Sequence, residues 1–174
     1  MKNLHIRKVL SHEAGQLQQL GRQTFYEAFT DQNTPENMTK YLTDKLSLHT
    51  IIKELQHPFS EFYFAQHADR LVGYLKLNFE LSKSANPDGQ AMEIERIYVT
   101  KPYQGKQVGQ QLIDFAIQRA LKTKASHIWL GVWEQNKKAI QFYQKNGFKE
   151  MSRHIFILGD DQQTDLMMKL DLVK

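Results

Sequence analysis

The chain has no cysteine among its 174 residues. Disulfides, thiolate metal sites and any covalent acyl intermediate on a protein thiol are thereby excluded. Proline is scarce, at 4 residues, and no segment is dominated by Pro, Gly or Ser, so neither wholesale disorder nor a long linker is indicated. No apolar run approaches a membrane span, and residues 1–9 mix Lys2, His5, Arg7 and Lys8 with too few apolar side chains for a signal peptide. The expectation is a cytoplasmic protein with no membrane partner. The 7 histidines contain no His-x-x-x-His pair or other tight ligand set, so no metal is expected. Lys and Arg exceed Asp and Glu by 23 to 19, but the excess is dispersed. Without a basic run or basic–aromatic interleaving, no nucleic-acid partner is expected, whereas a mild positive charge suits a polyphosphate ligand.

What is present suffices for one α/β domain spanning residues 1–174, with 41% hydrophobic content to build its core. Residues 4–9 read as a strand. A helix then runs from Ser11 to about residue 30, with Leu17, Leu20, Phe25 and Phe29 at helical spacing. Thr34 as cap and Pro35 as first helical residue open a second helix through Met38, Tyr41 and Leu42, and a third covers 48–56. Residues 61–66 and 70–81 form a hairpin around Ala68-Asp69, and 82–90, with Asn86-Pro87-Asp88-Gly89, is a loop. From there strand and helix alternate. A strand at 92–100 is followed by a helix at 106–122, a strand at 126–132, and a helix at 136–145 that Asn146-Gly147 ends. A final hairpin pairs 149–158 with 164–173 around Gly159-Asp160-Asp161.

The turn at 99–109 joins a strand to a helix and holds Gly105 and Gly109. Such a turn either aims free backbone N–H groups and the positive helix end at an anion, or merely uses glycine for geometry. Glu93 and Glu95, two apart on a strand, share a face, so either can relay a proton or simply sit in ion pairs with Arg96 or lysines. Tyr143 shares a helix face with Ala139 and Ile140 and by itself reads as a packing residue. Lys106, Lys138 and Lys145 suit phosphates or plain solvent.

Two motifs in order remove part of this ambiguity. Gln104-x-x-Gln107-x-Gly109 resembles the pyrophosphate-binding Arg/Gln-x-x-Gly-x-Gly/Ala motif of the GNAT N-acetyltransferases, with Gln107 departing from the middle glycine. Asn136-x-x-Ala139-Ile140-x-Phe142-Tyr143, continuing to Gly147-Phe148, resembles that family's motif at the coenzyme A pantetheine arm. Further stretches resemble the PaiA-type polyamine acetyltransferases: Thr24-Phe25, the segment from Asp31 to Met38, Glu93 to Tyr98, Ile128 to Glu134, and Gly159 to Leu166. The resemblance implies the GNAT fold, a central mixed, mostly antiparallel twisted sheet of about seven strands flanked by about five helices.

It also implies the chemistry. Acetyl-CoA would be the cosubstrate, held by Ile97, Tyr98, Val99, Gln104, Gly105, Lys106, Gln107, Val108, Gly109, Asn136, Ala139, Tyr143 and Lys145, with a strand amide at 97–99 polarising the thioester carbonyl. Tyr143 would be the general acid at the departing thiolate, and Glu93 or Glu95 would relay the amine proton. Tyr26, Glu27, Phe29, Asp31, Tyr41 and Trp133 would meet a small-molecule amine, spermidine or spermine by this resemblance. A protein N-terminus, a lysine or another small amine is the alternative acceptor, and an acyl-CoA-binding regulator the alternative class. The fold's habit of pairing edge strands implies a homodimer.

Overall fold

The computed structural model describes residues 3–79, 90–158 and 160–172. The expected loop at 82–90 and Gly159 of the final turn therefore lie outside the described residues, Gln90 excepted. In chain order the elements are β1 (Leu4–Lys8), α1 (Ala14–Phe29), α2 (Pro35–Asp44), α3 (Leu48–Gln56), β2 (Ser60–His67), β3 (Arg70–Phe79), β4 (Ala91–Val99), α4 (Val108–Lys122), β5 (His127–Trp133), α5 (Lys137–Lys145), β6 (Lys149–Leu158) and β7 (Asp161–Asp171). No described helix is long and apolar enough to cross a membrane.

Local chemistry sets the helix ends. Thr34 Oγ1 accepts the Asn37 amide at 3.2 Å ahead of Pro35, and Ser47 Oγ does the same for Thr50 at 3.1 Å. Gly147 follows α5 at φ 87, the left-handed conformation that ends helices cheaply. Two of the boundaries that differ from the sequence expectation have a clear physical cause. Helix α4 begins at Val108 because Gln107 has φ 68, which cannot continue a right-handed helix. Strand β7 begins at Asp161 rather than 164, because the β6 ladder runs to the turn through Leu158↔Asp161, Ile157↔Gln162 and Phe156↔Gln163. Backbone pairing, and not apolar alternation, extends that strand.

The seven strands lie in the order β1-β2-β3-β4-β5-β7-β6. All neighbours are antiparallel except β4 and β5, which the crossover helix α4 joins in parallel. The pleat feeds two cores. In β2 the consecutive buried residues Phe62, Tyr63, Phe64 and Ala65 alternate, Phe62 and Phe64 packing with α1–α3 and Tyr63 and Ala65 with α4.

The sheet then splits. Strands β4 and β5 pair only at Ala91↔His127, Met92↔Ile128 and Glu93↔Trp129. Beyond that point β4 stays with β3 as far as Gly73↔Val99, while β5 stays with β7 as far as Trp133↔Asp165. A bulge helps to turn β4 away, since Lys76 faces Arg96 and Leu77 faces Ile94, leaving Glu95 as the extra residue. Close packing of β3 on β4 requires a glycine at 73, where an added Cβ would stand 2.6 Å from Tyr98 O. The half of β4 past Glu93 thus presents a strand edge with no ladder partner toward β5.

Candidate active site

The split opens a cleft of about 1320 Å³ lined from both faces of the sheet. On the α4–α5 side lie the first residues of α4 and one face of α5. The first helical bond of α4 is donated by the Gln111 amide to Gln107 O at 3.1 Å, so the amides of Val108, Gly109 and Gln110 precede the intrahelical ladder at its positive end. Gly105 (φ 73) and Gln107 (φ 68) fold the preceding turn, and Gln104 Nε2 donates to Val99 O at 3.1 Å. Gln107 occupies the conformation that glycine adopts freely, so the departure from the motif changes the side chain and keeps the backbone.

Ile97, Tyr98, Val99, Gln104, Gly105, Gln107, Gly109, Asn136, Ala139 and Tyr143 line the cleft as the sequence suggests. Three candidates do not. The Lys106 ammonium lies 5.3 Å from the Tyr103 ring centre, Val108 is buried in the core so that only its backbone is of use, and Lys145 sits in the last turn of α5. Lys138 lines the cleft instead. Asn136 Oδ1 accepts the Ala139 amide at 3.1 Å, so it caps α5 and faces the cleft at once.

Tyr143 is 8% exposed, packed against Phe142 and Phe148. Among the described residues its hydroxyl has no hydrogen-bond partner. Burial alone pushes its phenol well above the usual range, so it stays protonated at any working pH.

The other wall belongs to α1, α2 and the outer face of β5 and β7. Phe29 and Tyr41 line it, each against Phe25 with ring centres 4.6 and 4.0 Å apart, and Trp133 lies 6.3 Å from Phe29. Phe25 and Phe29 are four apart and share the inward helix face; Tyr26 and Glu27 are rotated off it. Tyr26 is 54% exposed outside the cleft, and Glu27 Oε2 instead accepts the Lys101 amide at 2.8 Å. Asp31 also lies outside, exposed in the turn before α2. Asn37 Nδ2 donates to Asp160 Oδ1 at 2.8 Å and Gln163 Nε2 to Asn33 Oδ1 at 2.9 Å, which joins the start of α2 to the β6–β7 turn.

Glu93 and Glu95 do share a face, because Asn78 Nδ2 donates to Glu93 Oε2 at 2.7 Å and to Glu95 Oε2 at 2.6 Å. Their settings differ. Glu95 belongs to a four-charge cluster: it meets Lys76 at 2.6 Å and Arg96 at 3.2 Å, while Glu54 of α3 meets Lys76 at 3.0 Å and Arg96 at 2.7 Å. Desolvation would raise the Glu95 carboxyl, but Arg96 and Lys76 hold it below the usual carboxylate range. Glu93 stands at the vertex of the split, opposite Trp129. Sequence reasoning missed Glu54, Phe25 and Asp165, which also line the cleft. Phe25, one helical turn before Phe29, and Asp165, inside the resembling stretch from Gly159 to Leu166, carried a signal; Glu54 carried none. Among the described residues no group of three or more His, Asp or Glu could hold a metal ion.

A free strand edge for an amide-bearing arm, a helix N-terminus for phosphates and a buried phenol between them fit a coenzyme A thioester. With an aromatic and acidic pocket across the split, they define a group-transfer enzyme whose two substrates meet in one cleft. Residues 22–148 match the acetyltransferase (GNAT) family. The chain is 39% identical over 154 residues, 88% of its length and 89% of the relative's, to an uncharacterized N-acetyltransferase in the pepI 3′ region of Lactobacillus delbrueckii subsp. lactis. Over 57 residues, 32% of this chain and 38% of the relative, it is 35% identical to a probable spermine N(1)-acetyltransferase of Bacillus subtilis subsp. natto. The PaiA N-acetyltransferase of Thermoplasma acidophilum in complex with coenzyme A shares the fold, at 21% identity and a TM-score of 0.79 over 97% of this chain and 99% of that one. The chain belongs to the acetyltransferase (GNAT) family and is an acetyl-CoA-dependent N-acetyltransferase.

Proposed function

We propose that the protein acetylates a primary amine, a polyamine such as spermidine or spermine, by direct transfer in a ternary complex. The observation that carries this reading is the split between β4 and β5, which opens on both faces of the sheet and lets thioester and amine approach one point from opposite walls. The aromatic wall of Phe29, Tyr41 and Trp133 suits the methylenes and charges of an alkylammonium. The ties from Asn33 and Asn37 fasten the start of α2 to the β6–β7 hairpin beside the cleft, an arrangement suited to a small amine. The partial match to a probable spermine N(1)-acetyltransferase points the same way.

An alkylammonium with a pKa of about 10.4 must lose its proton first, at a cost of roughly 4 to 5 kcal/mol at pH 7. Glu93, at the vertex, takes that proton directly or through one water; Glu95 is the poorer acceptor because two cations and Asn78 already occupy it. The freed lone pair attacks the acetyl carbonyl, the C–N bond forms, the C–S bond breaks, and the nitrogen releases its second proton to solvent as the amide forms. The sulfur leaves as a thiolate. Tyr143 donates a hydrogen bond to it; since an ordinary phenol, at about 10, already lies above a thiol pKa of about 8.5 and burial raises Tyr143 further, complete proton transfer from Tyr143 is uphill and thiolate stabilisation is its main contribution.

A coenzyme A release assay across an amine panel tests the reading. Turnover is expected with spermidine and spermine above that with peptides bearing a free N-terminus or lysine. Robust turnover with peptides and none with polyamines would sink the polyamine assignment.

A further inference from the structure

We propose that Asp165 binds an ammonium of the acceptor remote from the reacting nitrogen, and so makes the enzyme selective for amines carrying a second positive charge. The inference rests on the amine-transfer reading above. Asp165 stands on β7 directly opposite Trp133 of β5 and His154 of β6, so the three share one face of the sheet. Leu166 and Met168 turn into the core packed on α4, which places Asp165 on the opposite side, with the aromatic wall. Its Oδ2 lies 3.5 Å from where a Cβ at position 131 would stand, and Gly131 lines the cleft. The missing side chain at 131 leaves the carboxylate open to the bound acceptor.

What distinguishes Asp165 is its lack of compensation. Glu54 and Glu95 have Lys76 and Arg96, Glu61 has Arg119, and Glu93 has Asn78. Asp165 is half-buried, yet among the described residues its carboxylate accepts no hydrogen bond and forms no ion pair. Burial lifts its carboxyl above the usual value, with only the charge of His154 acting against that. A carboxylate held partly out of water without a partner has lost hydration that a cation can restore. Trp133 shares its face and Phe29 lies 6.3 Å from Trp133, so the cation would meet a carboxylate beside aromatic rings.

The same chemistry decides which nitrogen binds there. A carboxylate stabilises the protonated amine, and the reacting nitrogen must be deprotonated. Asp165 therefore suits the nitrogen that keeps its charge.

The test compares spermidine with butylamine as acceptors for the full chain and for Asp165→Asn, an isosteric change. The expected result is a rise of about 10- to 100-fold in the KM for spermidine, the usual loss on removing a charged hydrogen-bond partner, with butylamine and acetyl-CoA KM values moving less than about threefold. Asp165→Glu should recover part of the loss. An unchanged spermidine KM, or equal losses for both amines, overturns the proposal. Calorimetric titration of spermidine into protein saturated with coenzyme A separates this failure from that of the transfer reading. Binding that Asp165→Asn abolishes upholds the site even if no amine is turned over, and a wild-type protein that binds no spermidine overturns it.

Discussion

Glu54→Gln should destabilise the protein by about 2 to 3 kcal/mol, and the figure follows from a charge count. Lys76 and Arg96 are 4% and 9% exposed, two buried cations balanced by the carboxylates of Glu54 and Glu95. Glu54 takes one contact from Lys76 at 3.0 Å and two from Arg96 at 2.7 and 2.9 Å. Gln keeps the size but leaves two cations facing one carboxylate. Removing one partner of a buried pair costs about 3 to 5 kcal/mol, reduced here because the Glu54 side chain is 21% exposed. At the usual 2 to 4 °C per kcal/mol for a chain of this size, the melting temperature should fall by roughly 5 to 10 °C. Urea denaturation at pH 7 measures the loss directly, with an unchanged m-value if the fold is kept. Adding Lys76→Met restores one cation to one carboxylate and should recover at least half of the deficit. A loss below about 0.5 kcal/mol, or a double variant no better than the single one, would refute the reasoning.

Tyr143→Phe should lower kcat by roughly 10- to 100-fold with the acetyl-CoA KM nearly kept, the loss of one transition-state hydrogen bond; an unchanged kcat in steady-state assays removes Tyr143 from the mechanism. Glu93→Gln should lower kcat and flatten the ascending limb of the rate-against-pH profile, whereas a variant that keeps both shows that the relay lies elsewhere. Gln107→Gly should raise stability by about 0.5 to 1 kcal/mol in denaturant unfolding, because φ 68 strains any side-chain-bearing residue by more than the unfolded chain gains in freedom. Glu13 is lowered to about 2, chiefly by its hydrogen bonds from Arg7. Its folded pKa is depressed, so its contribution is present above the unfolded value and is lost as pH falls from about 4.5 toward 2; Glu13→Gln should flatten stability against pH in that window.

Helix caps and strand positions are local properties, and they were legible. Thr34-Pro35 opens α2 and Gly147 follows α5 because each depends on residues within one turn. The motifs likewise placed Gln104, Gly109, Asn136 and Tyr143 on one cleft. What the sequence hid depends on distant pairing. The bulge at Glu95 arises only from the register of β4 on β3, and the cluster joins Glu54 to Arg96 across 42 positions. Asp165 lies within a stretch that carries the family resemblance, but its significance is the absence of a partner, which a linear chain cannot display. Tyr26 and Glu27, which the resemblance sets in the acceptor site, lie outside the cleft: one residue along a helix is a turn of about 100°, enough to carry a side chain from the cleft to the solvent or, for Glu27, to the Lys101 amide.

The division of the sheet also separates what can change from what must stay. The thioester wall rests on β4, α4 and α5, and the acceptor wall on α1, α2 and the β6–β7 hairpin. Because Phe29, Tyr41 and Asp165 sit on elements other than β4, α4 and α5, substitutions in α2 or the hairpin are expected to retune the amine without disturbing acyl-donor capture. The molecule is in that respect a fixed donor platform carrying an exchangeable acceptor module, and new specificity is best sought in the module.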